Sequence, residues 1–311
     1  MPMLIDWHAH HTAPEAAERF GALGGKAPRP DPQDSPDFSQ RIAEMDGSHL
    51  DIQLVSPGAG LNADRLTPDA AMDVVRLSND LVAERVAPYP NRLLGSVAIS
   101  WANAPGSVEE LRRMAGRGFR AITMFARPDL VGDPAVEPIW STIDELGLPV
   151  FLHGGGAGPR SGGVDLSRLE DGGQGVSVSA HADAAVSEFV VGTIADGLFD
   201  RHPNLQLVIR SSGGGVPLLL SKLWWKHKGP AGEQRYSDVL LQHYLVDCAS
   251  ASPRTLRFLV DTMGEDHVVF GSDYCGGLGP LAKALPVIAE QPDPGGMTAM
   301  MERNTQRLLK L

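Results

Sequence analysis

The prediction of the fold starts from the stretch Ile5-Asp6-Trp7-His8-Ala9-His10. Polar and apolar residues alternate along it, which predicts a strand with Asp6, His8 and His10 on one face and the apolar residues on the other. Three polar groups on a buried face are costly unless something satisfies them, and a cation held by imidazole and carboxylate does so. In the alternative interpretation, His8 and His10 are hydrogen-bonded core histidines, which is the commoner case for an isolated His-x-His pair.

Short apolar runs and longer amphipathic segments alternate along all 311 residues. The runs predicted as strands are Met3–His8, Ile52–Ser56, Leu93–Ser100, Phe119–Phe125, Pro149–His153, Leu205–Arg210, His243–Asp247 and Val268–Ser272. The predicted helices are Pro68–Ala87, Val108–Gly118, Pro138–Leu146, Ala184–Asp200, Val216–Lys228, Pro253–Met263, Pro280–Glu290 and Met297–Leu309. Eight strands separated by helices predict an α/β fold, a parallel (β/α)8 TIM barrel, because a doubly wound sheet usually has five or six strands.

Two segments do not follow this alternation. Residues 12–40 are rich in Pro, Asp and Gly, and residues 154–180 are rich in Gly and Ser. We expect both to be long loop insertions, after strands 1 and 5, that overhang the C-terminal face of the barrel. No linker divides the chain, so we expect a single domain over residues 1–311.

Two later strands also end in side chains that can bind a metal. His153 ends one apolar run, and Asp273 follows the last. A carboxylate at the end of an apolar strand needs a partner. These two residues meet His8 and His10 only if the sheet closes, so the barrel and the metal site support each other.

Composition excludes several classes of protein. The formal net charge is −11 and no Lys/Arg-rich run occurs, which argues against a nucleic-acid partner. No apolar run approaches the ~18 residues of a membrane span, and the first residues lack the pattern of a signal peptide. The two cysteines, Cys248 and Cys275, cannot form a disulfide scaffold. A cytoplasmic protein is the resulting expectation.

The motifs taken together resemble the amidohydrolase superfamily. Asp6-x-His8-x-His10, His153 and the run Gly271-Ser272-Asp273-Tyr274 carry the resemblance. Within the superfamily, the chain resembles the amidohydrolase-related branch that includes aminocarboxymuconate-semialdehyde decarboxylase. Further matching pieces, in the same order as in that branch, are Arg41–Asp46, Asn79-Asp80, Tyr89–Arg92, His202–Leu205 and Gly213–Gly215.

The resemblance implies a site and a substrate class. His8, His10, His153 and Asp273 would ligate one divalent cation, usually Zn²⁺, with Mn²⁺ as the alternative. Arg41 would hold the carboxylate of a small-molecule substrate, a task that suits a guanidinium fork; the alternative is a solvated helix residue. The resemblance also suggests a homodimer.

One position departs from the pattern of the branch. Ser212 stands where its members usually carry a histidine that contacts the metal-bound water. Serine cannot act unaided as a base near neutral pH. Either Asp273 handles the proton alone, or His181 folds back over the barrel mouth to do so, or the chemistry differs; the plainer interpretation places His181 near the start of the following helix. Arg210, two residues before Ser212 on a predicted strand, shares its face and could bind an anionic substrate.

Three functions remain at this stage. The first is a metal-dependent decarboxylase acting on a small unsaturated or aromatic carboxylic acid. The second is a hydrolase or hydratase (amide, lactone or ring-opening), for which the missing histidine is the more direct problem. The third is a non-catalytic binding protein, against which the four intact ligand positions argue.

Overall fold

A parallel barrel forms the centre of the computed structural model, which describes residues 2–26, 28, 31–154, 173–226 and 235–311. Eight parallel strands follow one another in chain order around the sheet. They are β1 (Ile5–His11), β2 (Ile52–Pro57), β3 (Leu93–Ala98), β4 (Ala121–Phe125), β5 (Val150–His153), β6 (Leu207–Ile209), β7 (Tyr244–Asp247) and β8 (Val268–Val269). The (β/α)8 barrel predicted from the sequence is confirmed.

Backbone hydrogen bonds close the barrel between the segment that continues β8 and β1. The amide of Trp7 donates to Phe270 O at 2.8 Å, and that of Asp273 donates to His8 O at 2.8 Å. The amide of His10 donates to Tyr274 O at 2.9 Å. Closure therefore brings Asp273 beside the two histidines of β1.

Helices surround the strands. They are α1 (Pro14–Ala22), α2 (Phe38–Gly47), α3 (Pro68–Val86), α4 (Ala104–Ala115), α5 (Glu137–Leu146), α6 (Gly173–Ala195), α7 (Leu198–Arg201), α8 (Arg210–Gly213), α9 (Val216–Lys226), α10 (Tyr236–His243), α11 (Pro253–Met263), α12 (Pro286–Ala289) and α13 (Pro294–Leu309). None of the helices among the described residues combines the length and apolarity needed to cross a bilayer.

The two predicted loops are partly helical, which corrects the sequence interpretation. The segment 12–40 contains α1, with Pro14 in its first turn, and the start of α2, whose N-cap Asp37 accepts from Ser39 N. The segment 154–180 contains the beginning of α6, while residues 155–172 lie outside the described residues. Pro14 and Asp37 are residue types that commonly mark the start of a helix. In the prediction, the Pro/Asp/Gly-rich composition of the segment outweighed these two signals.

Other helix boundaries also differ from prediction. The predicted helix Ala184–Asp200 is divided between α6 and α7, because Gly197 adopts a left-handed backbone (φ 70°). The predicted helix Pro280–Glu290 is a 3₁₀ turn, Leu281–Lys283, followed by the short α12. Helix α10 had not been predicted at all.

Strand β1 contains a bulge that changes which residues face the barrel interior. Asp6 pairs with Gln53 and Ala9 pairs with Val55, so three steps on β1 match two on β2. Trp7 packs in the interior with Phe151, Leu308 and other apolar side chains. Asp6 instead accepts from Gln53 Nε2 at 2.8 Å and from Ser272 Oγ at 2.6 Å. The prediction that Asp6 shares a face with His8 and His10 was therefore wrong, because a bulge breaks the two-residue alternation.

Candidate metal centre

Three histidine side chains meet at the C-terminal mouth of the barrel. His8 and His10 come from β1 and His153 ends β5, and all three are buried. One ring nitrogen of each lies within 4.8 Å of those of the others. Asp273 Oδ1 lies 3.1 Å from His8 Nε2 and 3.3 Å from His10 Nε2. The structure therefore brings together all four residues predicted as metal ligands.

Hydrogen bonds at the far side of each ring fix which nitrogen faces the centre. His8 Nδ1 donates to Asp247 Oδ2 at 2.7 Å, and His153 Nδ1 donates to Gly154 O at 3.0 Å. Ser56 Oγ donates its proton to Ala9 O, so it accepts from His10 Nδ1 at 2.9 Å. Each ring consequently keeps Nδ1 for its supporting partner and turns Nε2 towards the centre, as metal-bound histidines do.

The resulting cluster contains acceptors that face one another. His8 Nε2 and His10 Nε2 lie 3.1 Å apart, and the Asp273 carboxylate lies against both. Lone pairs and a negative charge at such distances repel unless a proton or a metal ion lies between them. Imidazole nitrogen and carboxylate oxygen are ligands that suit Zn²⁺ and Mn²⁺. The donor set thus fits one divalent cation.

The electrostatics of the cluster also favour a bound cation. Burial alone would lower the pKa of His8, but the carboxylates of Asp273 and Asp247 outweigh it and raise that pKa to about 10. Burial opposes ionisation of Asp273, yet His8 and His10 hold its pKa well below the usual 3.8. Burial, helped by His10 and Arg210, holds the pKa of His153 well below 6.5. Positive charge is therefore stabilised between β1 and Asp273. His153 stays neutral, so its imidazole can donate an electron pair to a metal ion.

Local backbone geometry places the Asp273 carboxylate. Asp273 adopts a left-handed backbone (φ 55°), which aspartate tolerates better than most residues. A Cβ added to Gly276 would lie 1.8 Å from Asp273 Oδ1. Position 276 therefore has to be glycine if the carboxylate is to stay beside the histidines.

Sequence reasoning missed two residues that orient the ring of a ligand. Asp247 is fully buried at the end of β7 and binds His8, and Ser56 near the end of β2 binds His10. The signal for Asp247 was available, since an apolar strand that ends in an acid is the same pattern that pointed to Asp273. No comparable signal marks Ser56, because serine is common at strand ends.

Arg41 lies behind β1 and is almost fully buried, not solvated. Its guanidinium donates to Gln53 Oε1 at 2.7 Å and to His10 O at 2.6 Å, and lies over the rings of Phe38 and Tyr274. These contacts tie α2 to the strand that carries the histidines. The predicted contact with a substrate carboxylate would require the guanidinium to exchange one of these partners.

Arg210, Ser212 and His181 lie around the mouth. Arg210 directly follows β6, and its guanidinium lies 3.7 Å from Asp183 Oδ1 on α6. Ser212 Oγ donates to Ala249 O at 3.2 Å. Because β6 ends at Ile209 and Ser211 and Ser212 are left-handed, the expectation that Arg210 and Ser212 share a strand face was wrong.

His181 is the ninth of the 23 residues of α6, so it does not lie near the start of that helix. The neighbouring Ala182 packs on Gly154, which directly follows His153, and Asp183 packs on Gly214. The helix therefore crosses the ends of β5 and β6. His181 is partly buried at this crossing.

Fold and site together define a barrel enzyme with a centre for a divalent metal. The family model described as Amidohydrolase matches residues 5–311, so the chain belongs to the amidohydrolase family. The resemblance predicted from the sequence motifs is thereby confirmed.

Individual relatives narrow the comparison. The chain is 26% identical over 254 residues to gamma-resorcylate decarboxylase of Rhodococcus jostii, covering 75% of this chain and 76% of that protein. It is 26% identical over 258 residues to 2-amino-3-carboxymuconate-6-semialdehyde decarboxylase of Dictyostelium discoideum, covering 78% and 67%. The structure of dihydroxybenzoic acid decarboxylase of Polaromonas sp., with bound manganese, superposes with a TM-score of 0.78 at 19% identity, covering 100% and 98% of the two chains.

Proposed function

We propose that this chain is a metal-dependent decarboxylase of a small aromatic carboxylic acid, acting as one domain over residues 1–311. The observation that carries the proposal is the convergence of three imidazole Nε2 atoms and the Asp273 carboxylate at the mouth. Relatives that decarboxylate gamma-resorcylate and aminocarboxymuconate semialdehyde support decarboxylation over hydrolysis.

The residues of the candidate metal centre have separate roles in this proposal. His8, His10, His153 and Asp273 hold one divalent ion, Zn²⁺ or Mn²⁺, and manganese in the Polaromonas relative supports the latter. The bound ion would polarise substrate oxygens and stabilise the negative charge that remains when carbon dioxide departs. Asp247 and Ser56 keep the rings of His8 and His10 in the ligating orientation.

The mouth supplies the contacts to the substrate. Arg210 raises the positive potential beside His153 and attracts the substrate carboxylate. Ser212 lines the same turn, and Arg41 is the second candidate for a carboxylate contact. When the carbon–carboxylate bond breaks, its electron pair stays on carbon, and carbon dioxide leaves. A proton must then reach that carbon. His181 is one candidate to deliver it, and the ionised Asp273 is the other, provided that it first takes up a proton from the substrate or from solvent and passes it on.

The hydrolase or hydratase alternative is weaker in this geometry. Attack by water requires a base at the metal, and Ser212 occupies the position of the expected histidine with its hydroxyl donated to Ala249 O. A non-catalytic binding protein would have no need for four ligands with their supporting hydrogen bonds. Decarboxylation places no demand on a water-activating base.

Metal analysis and carbon dioxide release test the proposal. Purified protein should carry about one equivalent of Zn²⁺ or Mn²⁺ and release carbon dioxide from at least one hydroxylated or methoxylated benzoic acid. A variant with both His8→Ala and His10→Ala should lose metal and activity while staying folded. His49→Asn, which changes an exposed histidine, is the matched control. A protein that folds without metal and is indifferent to the double substitution would refute the metal mechanism.

We also propose that the protein is cytoplasmic, which its composition suggests, and that it is a homodimer, which the family resemblance suggests. Light scattering on the purified protein at several concentrations measures the mass directly. A mass near 33.2 kDa at every concentration would show a monomer and contradict the dimer.

A further inference from the structure

Three buried polar side chains form a hydrogen-bonded network behind strand β1. They are Asp6 on β1, Gln53 on β2 and Arg41 on α2, and their exposed fractions are 0%, 0% and 3%. Gln53 Oε1 accepts from Arg41 Nη1 at 2.7 Å, and Gln53 Nε2 donates to Asp6 Oδ2 at 2.8 Å. The amide of Gln53 therefore joins a buried carboxylate to a buried guanidinium of opposite charge.

The Asp6 end of the network holds the backbone beside two of the proposed ligands. Asp6 Oδ1 accepts from the amide of His8 at 3.0 Å and from the amide of Ser272 at 2.9 Å. Ser272 Oγ also donates to Asp6 Oδ2 at 2.6 Å. Because Ser272 directly precedes Asp273, one carboxylate fixes the position of the His8 backbone relative to that of Asp273, across 266 residues of sequence.

The Arg41 end of the network holds the backbone of a third proposed ligand. Arg41 Nη2 donates to the carbonyl oxygen of His10 at 2.6 Å. The guanidinium carbon lies 4.7 Å from the ring centroid of Phe38 and 4.8 Å from that of Tyr274, and these two rings restrict its position. The guanidinium is therefore bound to the strand that carries the two β1 histidines.

The bulge in β1 makes this arrangement possible. Strict alternation would place Asp6 on the interior face with His8, whereas the bulge turns its carboxylate towards Gln53. A buried carboxylate is costly unless hydrogen-bond donors surround it. The donors that surround Asp6 belong to Gln53 and to the two backbone segments that carry His8 and Asp273. The buried charge thus links these segments to one another.

We infer that the Asp6–Gln53–Arg41 network positions the metal ligands, by holding the backbone at His8, His10 and Asp273 in one fixed arrangement. Gln53 is the central positioning residue, since its amide contacts both charged groups of the network. The inference rests on the proposed function for the metal at these ligands. It adds that Arg41 acts through His10 and not on the substrate carboxylate.

Calorimetric titration of metal-stripped protein with Mn²⁺ tests the inference. Gln53→Met removes both hydrogen bonds of the amide and keeps an unbranched side chain of similar length. The Kd for Mn²⁺ should rise about 10–100-fold, as is typical when residues that orient metal ligands are changed. Arg41→Lys is a second variant, because a lysine lacks the planar fork that contacts Gln53 and His10 together, and it should raise the same Kd.

Asn79→Ala is the matched control for a general loss of stability. Asn79 is a fully buried amide that also forms several hydrogen bonds, but with Ala98 and Glu110, outside the metal centre. Its Kd for Mn²⁺ should equal that of the wild type. The visible absorption spectrum at saturating Co²⁺ should shift in Gln53→Met, because the ligand geometry changes, and should stay unchanged in Asn79→Ala. Circular dichroism and Tm confirm that each variant is folded.

Benzoate binding to the Mn²⁺-saturated protein separates the two roles of Arg41. A positioning role predicts a weaker Mn²⁺ affinity in Arg41→Lys, with a benzoate Kd within about twofold of the wild type once the metal site is full. An arginine that holds the substrate carboxylate predicts the reverse: an unchanged Kd for Mn²⁺ and a weaker affinity for benzoate. The reverse pattern overturns the inference.

The remaining outcomes separate this inference from the proposed reaction. If Gln53→Met and Arg41→Lys bind Mn²⁺ as tightly as the wild type, the inference fails, even if carbon dioxide is released. It also fails if Asn79→Ala weakens Mn²⁺ binding as much as Gln53→Met does. A Kd for Mn²⁺ that depends on Gln53, in a protein that decarboxylates none of the acids, supports the network and overturns the proposed reaction.

Discussion

Replacing Asp247 by asparagine should weaken metal binding without changing any of the four proposed ligands. Asp247 Oδ2 accepts from His8 Nδ1 at 2.7 Å, and Oδ1 accepts from Ala249 N at 3.0 Å. An asparagine can keep only one of these contacts. If its oxygen stays with Ala249, its amide group faces His8 Nδ1 and favours the tautomer with the proton on Nε2, which cannot ligate a metal.

The size of the effect follows from the burial of the pair. The side chains of Asp247 and His8 are 0% and 1% exposed, so water cannot replace the lost contact. A hydrogen bond to a charged group contributes about 1.5–3 kcal/mol. At about 1.4 kcal/mol per tenfold change, the Kd for the metal should rise roughly 10- to 150-fold. Mutations of such supporting residues typically cost about 10–100-fold in metal affinity or activity.

The assay is a calorimetric titration of metal-stripped protein with Mn²⁺. Asp144→Asn is a charge-matched control, because Asp144 also accepts from a backbone amide, that of Asn204, but lies outside the metal centre. Its Kd for Mn²⁺ should equal that of the wild type. An Asp247→Asn protein that binds Mn²⁺ as tightly as the control would show that Asp247 does not set the His8 tautomer.

Three further predictions follow from the same structure. Gly276→Ala should cost most of the activity and lower metal occupancy, because the added Cβ would displace the Asp273 carboxylate; elemental analysis and turnover measure this, and full occupancy would contradict it. Asn79→Ala should lower the free energy of unfolding by about 2–4 kcal/mol, because this buried side-chain amide forms hydrogen bonds with the backbone N–H and C=O of Ala98 and with the Glu110 carboxylate. Urea unfolding measures the change. Asn204→Ala, at an exposed position, is the control and should lie within about 1 kcal/mol of the wild type. Burial lowers the pKa of His243 below 6.5, so the contribution of this residue to stability is present above pH 6.5 and is lost as the pH falls through the lower folded-state pKa. Between about pH 7.5 and 5, the free energy of unfolding of the wild type should therefore fall more than that of His243→Gln. Parallel curves of unfolding free energy against pH would contradict this prediction.

The local pattern of the sequence was enough to predict the barrel and most of the candidate centre. Strand number, strand order and the strand-end positions of His8, His10, His153 and Asp273 depend on alternation and apolar runs, which a short window contains. Closure of eight parallel strands then leaves little choice about where those ends meet, so four residues spread over 266 positions could be placed together.

The helices inside the first predicted loop show where local signals were outweighed. Pro14 and Asp37 both mark helix starts, but the surrounding Gly, Pro and Asp residues indicate loops. Helix α2 is stabilised by contacts that are distant in sequence, such as Glu44 with Tyr274 Oη at 2.9 Å and with Leu281 N. A composition-based prediction contains no information on such contacts.

The fold, the family and the four candidate ligands can be inferred from the sequence alone. That Asp6 turns away from these ligands can be seen only in the folded protein, because the bulge depends on how β1 pairs with β2. The burial of Arg41 behind His10 and the contact of Asp247 with His8, across 239 residues of chain, are likewise properties of the folded protein. Hydrogen bonds that select a tautomer require two groups within about 3 Å, and such proximity results from barrel closure, not from the order of residues.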